Sequence, residues 1–242
     1  RWRLDVPVRN AGQRAFGANA LALATKSGPD TLAGLRADAY GYRVTDSNAG
    51  DLCAYEFVDI TDVVPPLALT AAGFVAANDD GRSPVLDLAG SNVAFRFYDS
   101  EVTQVVMSTN GYIGLSAETD GGAFSNTCGS TGSNADGGRL MALHDDLIAG
   151  SLRAAVYSQC PRASEVGDPG QRCAVFQWNN VSFYVSSSAP PNGNFDFQAI
   201  VYPDTWQIVY QYRNAIPGNG DGATVGIVGA PSRLDYSCNE PV

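Results

Sequence analysis

The sequence predicts an all-β protein: an antiparallel β-sandwich or jelly-roll-like domain with an extended N-terminal arm. Three observations predict it. Apolar residues alternate with period two in Tyr55-Glu-Phe-Val-Asp-Ile60, Val93-Ala-Phe-Arg-Phe-Tyr98 and Phe195-Asp-Phe-Gln-Ala-Ile-Val-Tyr202, as half-buried strands require. Turn residues punctuate such runs at Asn78-Asp-Asp-Gly81, Asn110-Gly111, Pro191-Asn-Gly193, Pro203-Asp204 and Asn219-Gly-Asp-Gly222. After residue 51 no amphipathic pattern persists for three helical turns.

The elements follow in chain order. Residues 1–37 read as an arm or linker with at most one strand: Leu4, Val6 and Val8 alternate, and residues 18–39, rich in Ala, Leu, Gly and Thr, suit a short helix or a linker. The sandwich domain occupies residues 38–242. Its expected strands are 54–60, 67–70, 84–88, 92–98, 101–108, 111–115, 140–148, 152–158, 173–178, 181–186, 194–202, 205–212 and 223–229, each an apolar or alternating run bounded by turn residues. Residues 119–138 are Gly, Ser, Asn and Asp almost throughout. A loop of that length inside a compact domain is usually functional or mobile.

The charge balance excludes two classes of partner. Fifteen basic residues against 25 acidic ones give a net charge of −10, which repels nucleic acid and anionic membrane surfaces, both of which are bound through dense Lys and Arg. No apolar run approaches the roughly 18 residues of a membrane-crossing helix, so no membrane insertion is expected. The charge is uneven. Residues 1–45 carry Arg1, Arg3, Arg9, Arg14, Lys26, Arg36 and Arg43 against Asp5, Asp30 and Asp38, a balance of +4 that leaves −14 on the remainder. A basic arm beside an acidic body suits docking on that body or on the body of a neighbouring copy. The opening residue, Arg1, predicts a processed product or a piece cut from a longer chain.

Five cysteines stand at 53, 128, 160, 173 and 238. With no Cys-x-x-Cys pair and a single histidine they argue against a zinc site and for disulfides. Cys160 closes one strand-like run and Cys173 opens the next, so a bridge between them pins a hairpin loop and stabilises by about 3 kcal/mol in the chain-entropy model. Such a bridge places the protein outside a reducing cytosol. Cys53, Cys128 and Cys238 leave one thiol odd.

Three groups of segments, taken together, resemble a known module. They are Ala39-Tyr-Gly-Tyr-Arg-Val-Thr-Asp-Ser47 with Tyr55–Ile60; Phe95-Arg-Phe-Tyr98 with Val105-Val-Met-Ser-Thr-Asn-Gly-Tyr-Ile113; and His144-Asp-Asp-Leu147 with the later runs beginning at Val175, Phe197, Ile208 and Ala223. In this order they are similar to the secreted bacterial β-sandwich module found with subtilisin-like peptidases and surface proteins, and more distantly to the NIDO domain. The resemblance spans roughly residues 38–240 and implies an extracellular, non-catalytic module. Two features depart from it. Leu143-His144 replaces an aromatic residue before the Asp pair, and a final apolar strand after Cys238-Asn-Glu-Pro-Val242 is missing. An open sheet edge would then need a cover, and Leu4–Val8 is the segment expected to provide it.

Candidate chemistry is sparse. Any Ser-His-Asp scheme must use His144, yet Asp145 and Asp146 would point to opposite faces of a strand, so a buried structural histidine is the stronger expectation. Glu56, Glu101, Glu118, Glu165 and Glu240 do not pair on one face as a glycosidase requires. The oxygen-rich residues Asp145, Asp146, Asn134, Asp136 and Asp221 are candidate calcium ligands, with turn formation as the competing reading. No other cofactor is expected. Trp178, Tyr184, Tyr202, Trp206, Tyr210 and Tyr212 would stack on glycan if exposed and fill the core if not. Asn180-Val-Ser182 matches an N-glycosylation sequon.

The reading that follows is a non-catalytic, secreted or cell-surface protein acting in adhesion or assembly. Its partner would be another copy or another surface protein. In the assembly version it is a filament or surface-lattice subunit, with Leu4, Val6 and Val8, flanked by Arg1, Arg3 and Arg9, adding a strand to the next subunit. Two alternatives stay open: an accessory substrate- or carbohydrate-binding domain of a secreted peptidase, and a hydrolase using His144.

Overall fold

The computed structural model describes residues 20–23, 37–46, 55–73, 75–126, 128, 137–162, 170–185, 192–230 and 232–239. The protein is all-β. Its strands are β1 (Ala20–Leu23), β2 (Val44–Asp46), β3 (Thr70–Ala71), β4 (Gly81–Arg82), β5 (Leu86–Asp87), β6 (Phe95–Phe97), β7 (Ser100–Val102) and β8 (Gln104–Met107). They continue with β9 (Tyr112–Gly114), β10 (Arg139–His144), β11 (Leu147–Tyr157), β12 (Cys173–Phe183), β13 (Asn192–Tyr202), β14 (Gln207–Arg213), β15 (Thr224–Gly229) and β16 (Ser232–Cys238). One six-stranded sheet has the order β11-β12-β13-β14-β1-β2, the other β16-β15-β10-β9-β8-β5, and two small hairpins join β3 to β4 and β6 to β7. All paired strands are antiparallel.

The main core lies between the two sheets, where alternate residues of β11 to β14 meet those of β8, β9, β10 and β15. Trp178, Phe176, Phe195, Phe197 and Tyr210 are its largest side chains, with Trp178 stacked on Phe197 at 4.8 Å between centroids. Polar tips of three core aromatics cross to the facing sheet. Tyr210 Oη donates to Gly226 O at 2.9 Å, Tyr212 Oη to Ala142 O at 2.6 Å, and Trp178 Nε1 to Ser108 O, just beyond β8, at 2.7 Å. Burial of these rings therefore leaves no polar tip stranded, which would cost about 1–3 kcal/mol each. Trp178, Tyr202, Tyr210 and Tyr212 are buried, whereas Tyr184 is exposed and Trp206 half-exposed in the turn before β14. A row of sugar-stacking rings therefore does not form on these strands.

A second apolar cluster covers the other face of the first sheet, where Val58, Ile60 and Val64 pack on Ala155, Tyr157, Val175, Ile200, Tyr202 and Val209. This corrects the expected strand at 54–60. Residues 57–60 alternate in burial because they press onto a sheet, but residues 55–60 join no strand ladder. Their backbone is held by side-chain amides. Gln177, Gln198 and Gln211 stand side by side on β12, β13 and β14 and are all fully buried. Gln211 Oε1 accepts from Glu56 N at 2.8 Å and its Nε2 donates to Glu56 O at 2.7 Å. Gln198, its amide oriented so that both atoms are paired, makes the same two bonds with Val58, and Gln177 Oε1 accepts from Ile60 N at 3.0 Å. Three glutamines thus do for this strap what a neighbouring strand would do.

Other boundaries shift for identifiable reasons. The strands expected at 173–178 and 181–186 are joined in one bulged strand, β12, which ends at Phe183, and the run 140–148 breaks at the Asp145-Asp146 turn. Of 67–70 only Thr70 joins a strand. Within the stretch read as a short helix or linker, Ala20–Leu23 forms β1, paired to β14 (Ala20 with Gln211, Leu23 with Ile208) and to β2. Strands β2, β4 and β16 are additions to the expected set. The expected Cys160–Cys173 bridge is present, and a second joins Cys128 to Cys238. Cys53 and the arm residues Arg1, Arg3, Leu4, Val6, Val8 and Arg9 lie outside the described residues.

Candidate functional site

The chemistry-bearing residues gather where the β10–β11 turn meets the β8–β9 turn and the loop between β3 and β4. Asn110 organises the meeting. It is fully buried; its Nδ2 donates to Asp80 Oδ1 at 2.7 Å and its Oδ1 accepts from Leu147 N at 3.0 Å. The neighbouring Gly111 takes φ +75°, and a Cβ there would stand 1.9 Å from Leu143 O, so this turn admits only glycine. Thr109 ties the same turn to residues 79–81: its Oγ1 accepts from Gly81 N at 2.9 Å and hydrogen-bonds the Asp79 carbonyl. The sequence Asn110-Gly111, read alone as a hairpin signal, is therefore also the clamp that brings two acidic turns together.

Carboxylate oxygens of Asp79, Asp80 and Asp146 lie within 4.8 Å of one another. Partial burial, then the charges of Asp79, Asp80 and Asp145, push the Asp146 carboxyl up to about 6. Asp79 is raised by its own burial and by Asp80. Asp145 turns the other way. Its Oδ1 accepts from Asp146 N at 2.8 Å, and burial and the Asp221 charge raise its pKa. Of the five residues singled out as calcium ligands, Asp146 thus stands with Asp79 and Asp80, Asp145 faces Asp221, and Asn134 and Asp136 lie outside the described residues. In sequence Asp79 and Asp80 read as turn formers, and their only signal is adjacency in an Asn-Asp-Asp-Gly run. Three close carboxylates form the all-oxygen donor set that suits a hard cation.

His144 ends β10 almost fully buried. Its Nε2 lies 3.0 Å from the Ala123 carbonyl, an acceptor, so Nε2 carries the proton. The ring packs edge-on against Tyr112, with 4.9 Å between centroids. Burial drives its pKa down to about 4; the Ala123 bond opposes this, and the Arg139 and Arg233 charges add to it. Asn126 Nδ2 donates to the His144 carbonyl at 2.9 Å and to Gly222 O at 2.5 Å, closing the long loop over this end of the sandwich. A neutral imidazole with its Nε2 proton committed to a backbone carbonyl is built to support the loop.

Residues 55–242 match the family model described as NIDO related, over three quarters of the chain. Among curated proteins and among solved structures, nothing matches it. The matched segment opens at the glutamine-held strap, so β1 and β2 precede it.

Proposed function

Because the chain belongs to the NIDO-related family, we propose that it is a non-catalytic, extracellular module that works by assembly, with N-terminal strand addition joining one copy to the next. The observation that carries the reading is the pairing of β1 with β14. A strand from outside the family segment completes a sheet edge that this segment would otherwise leave bare, and bare edges are where chains join. Exchange of such a strand between copies preserves the same contacts and so costs little. Two disulfides support an oxidising compartment, and the buried, neutral His144 supports a role without catalysis.

The test is sedimentation and light scattering of the full chain and of a chain lacking residues 1–23, and with them β1. Concentration-dependent assembly of the first, with the second monomeric, is the expected result. Equal assembly of both sinks the strand-addition mechanism, and a full chain that stays monomeric at every concentration sinks the assembly reading itself.

A further inference from the structure

We propose that Asn180 is an N-glycosylation acceptor, its Nδ2 taking an oligosaccharide from a polyprenyl-phosphate-linked donor during export. The sequon alone is a weak signal. The fold around it adds three independent features.

First, β12 is buried from Cys173 through Asn179 and again at Val181 and Ser182, and Asn180 is its single exposed residue apart from the half-buried terminal Phe183. Second, a bulge puts it there. Between the pairs Trp178–Phe197 and Val181–Phe195, β12 advances three residues against two on β13, and Asn180 takes φ +54° with its N–H donated to Asp196 Oδ1 at 2.7 Å. Bulges re-aim a side chain while the ladder continues on either side. Third, the adjacent strand makes room. A Cβ on Gly150 would stand 2.8 Å from Asn180 Cβ and 2.9 Å from its Nδ2. Among the described residues the Asn180 amide has no hydrogen-bond partner, while Asn126 of the looser Asn126-Thr-Cys128 pattern has its Nδ2 engaged twice and its cysteine in a disulfide.

The transfer is balanced. Nδ2 bonds to the anomeric carbon, the carbon–oxygen bond to the lipid phosphate breaks, the amide proton passes to a carboxylate base of the transferase, and the polyprenyl phosphate leaves. Ser182, two residues on and buried once β12 has formed, supplies the hydroxyl that such transferases read on the exported chain before it folds. The product is a bulky hydrophilic chain projecting from mid-strand without displacing a core residue. The proposal rests on the export part of the functional reading and is independent of the assembly part.

The experiment is intact-mass analysis of the full chain exported through a secretory pathway that contains an oligosaccharyltransferase, followed by peptide mapping. The expected result is a mass shift of one oligosaccharide located on Asn180, retained in Ser182→Thr and lost in Asn180→Gly and Ser182→Ala. Glycine suits the left-handed backbone and alanine is nearly isosteric with serine, so both variants keep the fold. Exported but unmodified parent protein overturns the proposal and leaves the assembly reading intact. A shift that persists in Asn180→Gly overturns it as well.

Discussion

Lowering the pH from 7 to 4.5 destabilises this protein through a single buried imidazole. An unfolded histidine titrates near 6.5, whereas burial holds His144 at about 4 in the native state. Between those values the unfolded chain binds a proton that the native chain refuses, so stability falls as the pH falls through that window. Integrated to pH 4.5, the loss is roughly 2.5 kcal/mol. Asp146 opposes it. Its carboxyl, raised to about 6, takes up a proton in the native state before the unfolded state does and so adds stability over much of the same range. Because that side chain is only partly buried, screening by solvent cuts its contribution to about 1 kcal/mol or less.

The assay is urea denaturation at both pH values for the parent and for His144→Gln, whose amide can still donate to Ala123 O. The variant should lose about 2 kcal/mol less than the parent on acidification. One histidine means one imidazole resonance, which in the native protein should stay in its neutral position down to about pH 4. A native midpoint near 6.5, or equal acid losses in parent and variant, refutes the reasoning.

Other perturbations read other parts of the fold. Gln198→Leu strands the amide and carbonyl of Val58 beneath the strap, so it should cost about 2–4 kcal/mol in denaturant unfolding and strip hydrogen-exchange protection from residue 58. Replacing Cys128 and Cys238 by Ser opens a link across 110 residues and should cost about 4–5 kcal/mol in the chain-entropy model. The same exchange at Cys160 and Cys173, 13 residues apart, should cost about 3 kcal/mol. Asp146→Asn in the presence of a chelator should raise the melting temperature at pH 7, by relieving repulsion from Asp79 and Asp80, and leave it nearly unchanged at pH 4.

The long strands were legible because their partners are strands. β12, β13 and β14 bury residues on both faces through residues 173–179, 197–202 and 208–212, and β-branched and aromatic residues accumulate there. The strap at 55–60 carries instead the period-two signal of a chain that buries one face against a sheet. No periodicity reveals that its backbone partners are the amides of Gln177, Gln198 and Gln211. β16 was invisible because a bulge opposite Val225 and Gly226 spaces its buried residues, Leu234 and Ser237, three apart instead of two. Cys160–Cys173 followed from a short loop between two strands. Cys128–Cys238 joins segments that only the finished topology brings near. The acidic cluster was half legible, since the Asp145-Asp146 turn was singled out while Asp79 and Asp80 reach it through Asn110, by contacts that span thirty and thirty-seven residues of sequence.

The three aromatic tips that cross the core set the mechanical character of the sandwich. Sliding one sheet over the other by a single residue, about 3.4 Å, would break the bonds of Trp178, Tyr210 and Tyr212 together and leave three carbonyls facing hydrocarbon. Shear along the strands is therefore met by all three at once instead of being yielded to rung by rung. A sandwich pinned in this way deforms little under tension until it fails as a unit.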